Sequence, residues 1–162
     1  MLHIRNVKLE DLPYLVKIEN LCFTKEEAAT KEAFKKRIQT IPDSFYVAEK
    51  NGEIVGLING PVIHQPFITD DLFSDLKTNP SSGGHQSILG VAVAPLFQKR
   101  GVASALLAHL EREAKLHKRE AITLTCKKDL IGFYEKLGYQ NLGVSESEHG
   151  GVTWYNMIKR IH

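Results

Sequence analysis

The chain has 162 residues, of which 43% are hydrophobic and 25% charged, with a net charge of +2. This length and composition are typical of one globular domain with its own hydrophobic core, and we take residues 1–162 as a single domain. The charge is far too small to indicate a nucleic-acid-binding protein, so we expect no nucleic acid as a partner.

The two cysteines, Cys22 and Cys126, form no CxxC pair and no spacing typical of metal ligands. This predicts reduced thiols, no disulfide and no metal site. The first residues carry scattered charge and show no apolar core of a signal peptide. The longest apolar run, residues 88–97, contains Gly90 and Pro95 and is too short to span a bilayer. We therefore expect a cytoplasmic protein with no membrane partner.

The first third of the chain predicts a strand, two helices and a β-hairpin. Residues 3–8 indicate a strand, and apolar residues at helical spacing indicate a helix that opens near Glu10. Thr30 is a suitable N-cap for a second helix, which ends before Pro42. Two β-rich runs then flank Asn51-Gly52, which is the strongest short-range hairpin signal in the sequence.

Residues 63–84 interrupt this regular pattern with proline, glycine, asparagine and serine. A loop of this length in a small domain is usually a lid or a binding loop, or is locally disordered. We expect a mobile lid.

The remaining chain alternates strands and helices. Residues 87–93 predict a buried strand, and the elements that follow are a helix over 101–117, a strand over 121–126, a helix over 130–137 and strands over 139–146 and 152–159. The order predicts an α/β domain with one mixed, twisted sheet of about seven strands and about four helices on both faces.

One stretch carries the main chemical signal, because a strand runs through a tight turn into a helix at Gly101. The first N–H groups of such a helix are unpaired, and the helix dipole gives them partial positive charge. The small residues Gly101 and Ala103 would let a pyrophosphate approach the main chain, and Lys99 and Arg100 add charge. Glycine in such a turn also has a purely conformational explanation.

These residues resemble a known family. Gln98-x-x-Gly101-x-Ala103 is similar to the Q/R-x-x-G-x-G/A pyrophosphate loop of the GNAT superfamily of N-acetyltransferases. Phe133-Tyr134, followed by Gly138-Tyr139, is similar to the FYxxxGF/Y signature found downstream of that loop. The chain looks closest to the arylalkylamine (serotonin) N-acetyltransferase group. It departs from that group at Ser87 and Leu89, where the group has two proton-relay histidines.

The resemblance implies a sheet that splays between its fourth and fifth strands, with acetyl-CoA as cosubstrate in the gap and no metal. The implied cofactor-binding residues lie on the fourth strand, on the turn and helix start, and on the later short helix: Val91, Ala92, Val93, Gln98, Lys99, Arg100, Gly101, Val102, Ala103, Ser104 and Phe133.

The resemblance also implies direct attack of an amine on the thioester. Tyr134 matches the family's general acid, which protonates the departing thiolate. A tyrosine that only packs by its ring is the alternative. For the base, His85 is the first candidate, and His64 or water are the others. Cys126 suggests a covalent route, but a small buried hydrophobe is the more ordinary role for it.

For the acceptor, the resemblance implies a pocket between the first two helices. The predicted substrate-binding residues are Cys22, Phe23, Glu26 and Ser87, and Glu19 and Glu27 lie in the same region. A carboxylate there would hold a cationic amine, although Glu26 and Glu27 are equally typical of a solvated turn.

The sequence thus predicts an acetyl-CoA-dependent N-acetyltransferase that acts on a small primary amine, such as an arylalkylamine or a polyamine. One alternative is an acetyltransferase for a protein N-terminus or lysine. Another is a catalytically weak acetyl-CoA sensor. A homodimer is possible by analogy with the family.

Overall fold

The computed structural model describes residues 1–73, 75–147 and 149–161. In this part of the chain four α-helices pack on two β-sheets. The helices are α1 (Leu12–Cys22), α2 (Lys31–Thr40), α3 (Val102–Leu116) and α4 (Ile131–Lys136). The strands are β1 (Leu2–Asn6), β2 (Phe45–Lys50), β3 (Glu53–Asn59), β4 (Val62–Ile63), β5 (His85–Ile88), β6 (Gly90–Val93), β7 (Ala121–Cys126), β8 (Gln140–Val144) and β9 (Tyr155–Arg160).

Each sheet has its own strand order. The first runs β1-β2-β3-β6 and is antiparallel throughout. The second runs β4-β5-β7-β9-β8, and its β5–β7 pair is parallel. Parallel neighbours need a crossover, and α3 lies within the connection that supplies it.

Two local sequence signals act as predicted. The Thr30 side chain accepts a hydrogen bond from the Ala33 N–H at 3.1 Å and caps α2. Asn51 and Gly52 adopt positive φ angles of 52° and 79° in the hairpin between β2 and β3. Positive φ at both central residues twists the turn with the flanking strands.

Helices cover both faces of the first sheet. Side chains of β2 alternate between two hydrophobic clusters, with Tyr46 and Ala48 in one and Phe45 and Val47 in the other. The first cluster contains the buried face of α3, and the second contains those of α1 and α2. The predicted α/β class, with helices on both faces, is confirmed.

The described residues form nine strands in two sheets, whereas the sequence predicted about seven strands in one sheet. The predicted strand over 87–93 is divided at Leu89, whose N–H donates to the Asn59 carbonyl at 2.8 Å. Before that point the chain pairs with β7, and after it the chain pairs with β3. The short strand β4, which the sequence did not predict, pairs with the start of β5. One extended run therefore belongs to both sheets.

None of the helices in the described ranges is both long and apolar enough to cross a membrane.

Candidate active site

A cleft opens where the two sheets separate. Ile88 pairs with Leu124 at the end of the β5–β7 ladder, and from Gly90 onward the chain pairs with β3 instead. The Ala94 N–H donates to the Val55 carbonyl at 2.8 Å. In an antiparallel pair the main-chain groups of every second residue bond to the neighbouring strand, so those of Ala92 and Gly90 also point to β3. The main-chain N–H and C=O groups of Val91 and Val93 therefore point away from β3, on the side of the cleft, where the Val93 carbonyl already accepts hydrogen bonds from the Cys22 thiol and the Gln98 side chain.

The turn after β6 leads directly into α3. Gly101 has φ of 82°, and a Cβ placed on it would meet no atom within 4 Å, so the position faces open space. The first intrahelical bond runs from the Ala105 N–H to the Gly101 carbonyl at 3.0 Å. The three preceding N–H groups thus have no partner within the helix and carry the positive end of its dipole.

Around this helix start lies a cleft of about 320 Å³, called here the cofactor cleft. Its walls come from β6, the turn, the first turn of α3, and α4: Val91, Val93, Phe97, Gln98, Lys99, Gly101, Val102, Ala103, Ser104, Leu130, Phe133 and Tyr134. Free N–H groups, an open glycine and a lysine fit the pyrophosphate of a CoA thioester.

Tyr134 lies where the cofactor cleft continues deeper between the sheets. Its side chain is buried and packs edge-on against Phe133 and Tyr139, with ring centroids 5.1 and 5.5 Å apart. Burial, and to a lesser degree the neighbouring Cys126, raises the pKa of Tyr134 above its ordinary range. The hydroxyl therefore keeps its proton at neutral pH and is available as a donor.

Cys126 lies near Tyr134 at the end of β7, and it too is buried. Burial, with a smaller contribution from Asp129, raises the pKa of the Cys126 thiol to about 11. The thiolate is the nucleophilic form of cysteine, so this thiol is poorly activated at neutral pH. Its environment favours the role of a small buried hydrophobe.

Beyond Tyr134 the cleft narrows into a second space of about 110 Å³, called here the acceptor cavity. Its floor is formed by residues around the Leu89 break and the end of β7, and its sides by the first two helices and two later loops. The lining residues are Glu19, Phe23, Glu27, Ala29, Arg37, Phe73, Ile88, Leu89, Gly90, Val91, Leu124, Thr125, Cys126, Leu130, Tyr134, Ser147 and Trp154.

The charged groups of the acceptor cavity are held in place by local contacts. The Ala29 N–H donates to the Glu19 carboxylate at 2.8 Å. The Glu27 carboxylate accepts from the Thr24 hydroxyl at 2.9 Å and forms an ion pair of 2.6 Å with Lys127. Glu19, Glu27 and Arg37 are all nearly inaccessible to solvent. The cavity therefore presents fixed charges of both signs.

Comparison with known proteins identifies the family. The profile described as "Acetyltransferase (GNAT) family" matches residues 12–139. The chain belongs to the GNAT family of acetyltransferases. This GNAT chain is 28% identical to an N-alpha-acetyltransferase of Sulfurisphaera tokodaii over 145 residues, which cover 87% of this chain and 81% of that protein. It is 32% identical to an acetyltransferase of Pectobacterium atrosepticum over 112 residues, which cover 67% of this chain and 65% of the relative.

Among solved structures, the GphF GNAT-like decarboxylase in complex with isobutyryl-CoA superposes with a TM-score of 0.85 and 19% identity. The superposition covers 99% of this chain and 100% of that chain. It shows the shared GNAT fold. With the family match, the two curated relatives named as acetyltransferases make the chain an acetyl-CoA-dependent N-acetyltransferase.

Most of the predicted cofactor residues of this acetyltransferase line the cofactor cleft, and two do not. The Ala92 side chain lies in the core cluster of α1 and α2, because alternate residues of β6 face opposite sides of the sheet. Arg100 is exposed and stacks on Phe97, 5.8 Å from the ring centre. Arg100 would therefore meet a phosphate only at the edge of the cleft.

The predicted acceptor residues are dispersed by the fold. Phe23 lines the acceptor cavity, but the Cys22 thiol lies outside it and donates to the Val93 carbonyl at 3.1 Å. Glu26 is exposed, whereas its neighbour Glu27 turns inward. Ser87 is fully buried, and its hydroxyl donates to the Pro61 carbonyl at 2.5 Å.

The histidines predicted as bases lie away from the acetyltransferase cleft. His85 opens β5, three residues before the end of its ladder with β7, and its Nε2 lies 3.3 Å from the Glu120 carboxylate. His64 is exposed on the long loop and lines a separate surface groove. Neither lines the cofactor cleft or the acceptor cavity.

Arg37, Phe73 and Trp154 line the acceptor cavity but were not predicted from the sequence. For Arg37 a signal existed. Phe34, Arg37, Ile38 and Ile41 follow the i, i+3, i+4, i+7 spacing of a buried helical face, so a cation at the second position is placed inside. Phe73 and Trp154 come from irregular segments, where no periodicity indicates which side chain turns inward.

Proposed function

We propose that this N-acetyltransferase acetylates the primary amine of a small molecule. The observation that supports this best is the size of the acceptor cavity, about 110 Å³. This is well below the roughly 300 Å³ at which pockets for drug-sized ligands begin. Phe73 and Trp154 line it from two loops. The arylalkylamine or polyamine expected from the sequence would present a primary amine of this kind.

The carboxylates of Glu19 and Glu27 suit a cationic acceptor. An alkylamine has a pKa of about 10, so it enters as the ammonium ion and must lose a proton before it can attack. A buried carboxylate binds the ammonium ion and accepts that proton directly or through water. These two residues take the place of His85 and His64 as candidate proton acceptors.

Acetyl-CoA supplies the acetyl group as a thioester. In the proposed reaction the amine nitrogen forms a bond to the thioester carbonyl carbon, the bond from that carbon to sulfur breaks, and the nitrogen gives up its remaining excess proton to water or a cavity carboxylate as the amide forms. Tyr134 donates its proton to the departing sulfur, which its raised pKa permits at neutral pH. The free N–H groups at the start of α3 hold the pyrophosphate, and the main chain at Val91 and Val93 aligns the pantetheine arm.

A second candidate acceptor is the N-terminus of a protein. It is favoured by the Sulfurisphaera tokodaii relative, which is named an N-alpha-acetyltransferase. A peptide must thread its first residues into the site, so it needs a wider entrance than a free amine does.

The test is thiol release from acetyl-CoA with a panel of small amines and peptides, and intact-mass detection of any acetylated protein. We expect small amines to react with higher kcat/KM than peptides. Higher values for peptides would make the protein N-terminus the acceptor. Tight CoA binding without turnover of any amine would support the sensor alternative and overturn the proposed function.

A further inference from the structure

Arg37 is a buried cation that the reaction described above does not use. It is 4% exposed and lines the acceptor cavity from α2. Its Nη1 donates to the Asn59 side-chain oxygen at 3.0 Å. The rings of Phe34 and Phe73 lie 5.6 and 6.0 Å from the guanidinium carbon. These two rings pack near the guanidinium, but they accept no conventional hydrogen bonds from its N–H groups.

The guanidinium has more donors than the described chain uses. It carries five N–H groups, and within the described ranges one of them donates a hydrogen bond, to the Asn59 side chain. No carboxylate of those ranges forms a salt bridge with it. Burial lowers the pKa of Arg37 to about 10, and Glu19 partly offsets this. Arg37 is therefore charged at neutral pH, and a buried charge that lacks a salt-bridge partner is costly.

Asn59 adds a second observation at the same place. Its side chain is fully buried, and its Nδ2 has no hydrogen-bond partner in the described chain. This nitrogen lies behind Gly90, a cavity-lining residue, at 3.7 Å from where a Cβ on Gly90 would be. Buried amide donors are almost always satisfied. Arg37 on α2 and Asn59 at the end of β3, which are joined by a hydrogen bond, thus both carry N–H donors for which the described chain shows no acceptor.

We propose that Arg37, supported by Asn59, binds a carboxylate of the acceptor, so that the acceptor is a small amine that also carries an acid group. This inference rests on the proposed small-molecule function and narrows it. The planar guanidinium fork matches the two oxygens of a carboxylate. Glu19 and Glu27 would take the ammonium end, and their charge opposes a more highly charged anion such as phosphate. The acceptor class is then an amino acid or a similar zwitterion, rather than a polyamine or a plain arylalkylamine.

The experiment uses matched triplets of acceptors: an amino acid, its amide, and the amine that lacks the carboxyl group. One triplet is alanine, alaninamide and ethylamine, and another is phenylalanine, phenylalaninamide and phenethylamine. We expect kcat/KM for the acid of the best triplet to exceed that for its amide by roughly ten- to a hundredfold, the value of a hydrogen bond to a charged group. Calorimetry of the N-acetylated products on the CoA-bound protein should show the same preference without turnover.

In Arg37→Met the ratio of acid to amide should fall close to one. Lys35→Met is the matched control, because it removes a positive charge from the exposed side of the same helix and should keep the ratio. CoA affinity and melting temperature establish that each variant is folded. If Arg37→Met does not fold, Arg37→Lys, which keeps the charge but loses the fork, should retain only part of the preference.

The outcomes separate the two proposals. If the wild-type protein acetylates the amide or the plain amine as well as the acid, the carboxylate inference is overturned and the small-amine function stands. If no member of any triplet is acetylated and peptides are, both fall. A preference for the acid that survives in Arg37→Met overturns the role of Arg37.

Discussion

The cofactor cleft and the acceptor cavity share the wall formed by Val91, Leu130 and Tyr134, but they are assembled differently from the sequence. Most of the cofactor cleft comes from one continuous stretch, residues 91–104, in which a strand, a turn and a helix start follow one another. The acceptor cavity draws its walls from both early helices, two long loops and three strands. A cleft built from one continuous stretch can be recognised in the sequence as a local motif. A cavity built from many separate stretches leaves no such motif.

The same difference predicts a division of labour between mutations. Substitutions in residues 91–104 should change CoA binding whatever the acceptor is. Substitutions in the acceptor cavity should change the choice of acceptor and leave CoA affinity alone. Tyr134, on the shared wall, should affect the chemical step itself.

The largest effect is expected for Tyr134→Phe, which keeps the ring and removes the proton donor. Turnover should fall by roughly 10²–10⁴-fold, the usual cost of losing a general acid, with little change in KM for acetyl-CoA. Because burial raises the pKa of Tyr134 above its ordinary range, the hydroxyl stays protonated across the pH range of the assay, so wild-type turnover should show no basic limb from this residue and the variant's loss should be the same at every pH. Steady-state rates across pH measure both.

Tyr139→Phe is the matched control, because this neighbouring buried ring lines neither the cofactor cleft nor the acceptor cavity. It should turn over normally. If Tyr134→Phe keeps more than about half of wild-type turnover where chemistry limits the rate, another group protonates the thiolate.

Gly101→Asp should weaken CoA binding by more than about tenfold, since like charges brought together at a binding site cost several kcal/mol. The side chain would enter the open space beside the helix start with a negative charge where the pyrophosphate is expected. Gly101→Asn is the control, because it has nearly the same shape and the same strain at positive φ but no charge. Equal CoA affinity of the two variants by calorimetry would place the phosphates elsewhere.

A smaller effect is expected for Glu27→Gln, which keeps the shape of the side chain and removes its charge. The kcat/KM for a cationic amine should fall roughly tenfold, the value of one hydrogen bond to a charged group, while CoA affinity is unchanged. Glu26→Gln, next to it and exposed, should behave as wild type. If both variants lose activity equally, the effect is one of overall charge and not of the cavity.

The smallest effect concerns the loop over 63–84, which we propose is a mobile lid; Ser74 lies outside the described residues. Its ends are tied, since the Val62 N–H donates to Asn79 at 2.8 Å and the Gly83 N–H to the His117 carbonyl at 3.1 Å. Its middle contributes Phe73 to the acceptor cavity. Hydrogen exchange should be fast in the middle of the loop and slow down when a bisubstrate analogue is bound. Strong protection in both states would show a fixed wall.

The sequence predicted well wherever structure depends on neighbours along the chain. The cap at Thr30, the turn at Asn51-Gly52 and the start of α3 after Gly101 each follow from local backbone and side-chain chemistry. The break at Leu89 could not be predicted, because it exists only through the different partners on either side. A run of extended apolar residues does not show where its hydrogen-bonding partner changes.

For the site, the sequence also did not show in which direction individual side chains point, because that too depends on distant partners. Glu26 and Glu27 are adjacent in a turn, and packing against Lys127 decides which of them faces inward. Ser87 was predicted from its match to a proton-relay histidine of the arylalkylamine group, but its hydroxyl donates to the Pro61 carbonyl. His85 was predicted because it starts the fourth strand, but three residues of strand span about 10 Å. That distance separates the start of β5 from the point where the cleft opens.

The division of one strand between two sheets also bears on how the enzyme opens and closes. Ser87 and Leu89 donate their N–H groups to the carbonyls of Pro61 and Asn59, at 3.0 and 2.8 Å, so the backbone is anchored at the break itself. These bonds restrain a hinge motion of one sheet against the other, because they fix two neighbouring chain segments at the point where such a motion would bend them. We therefore expect the gap between the sheets to keep a constant width through the catalytic cycle, like a rigid frame. Substrate entry and product release would then be paced by the loops that carry Phe73 and Trp154.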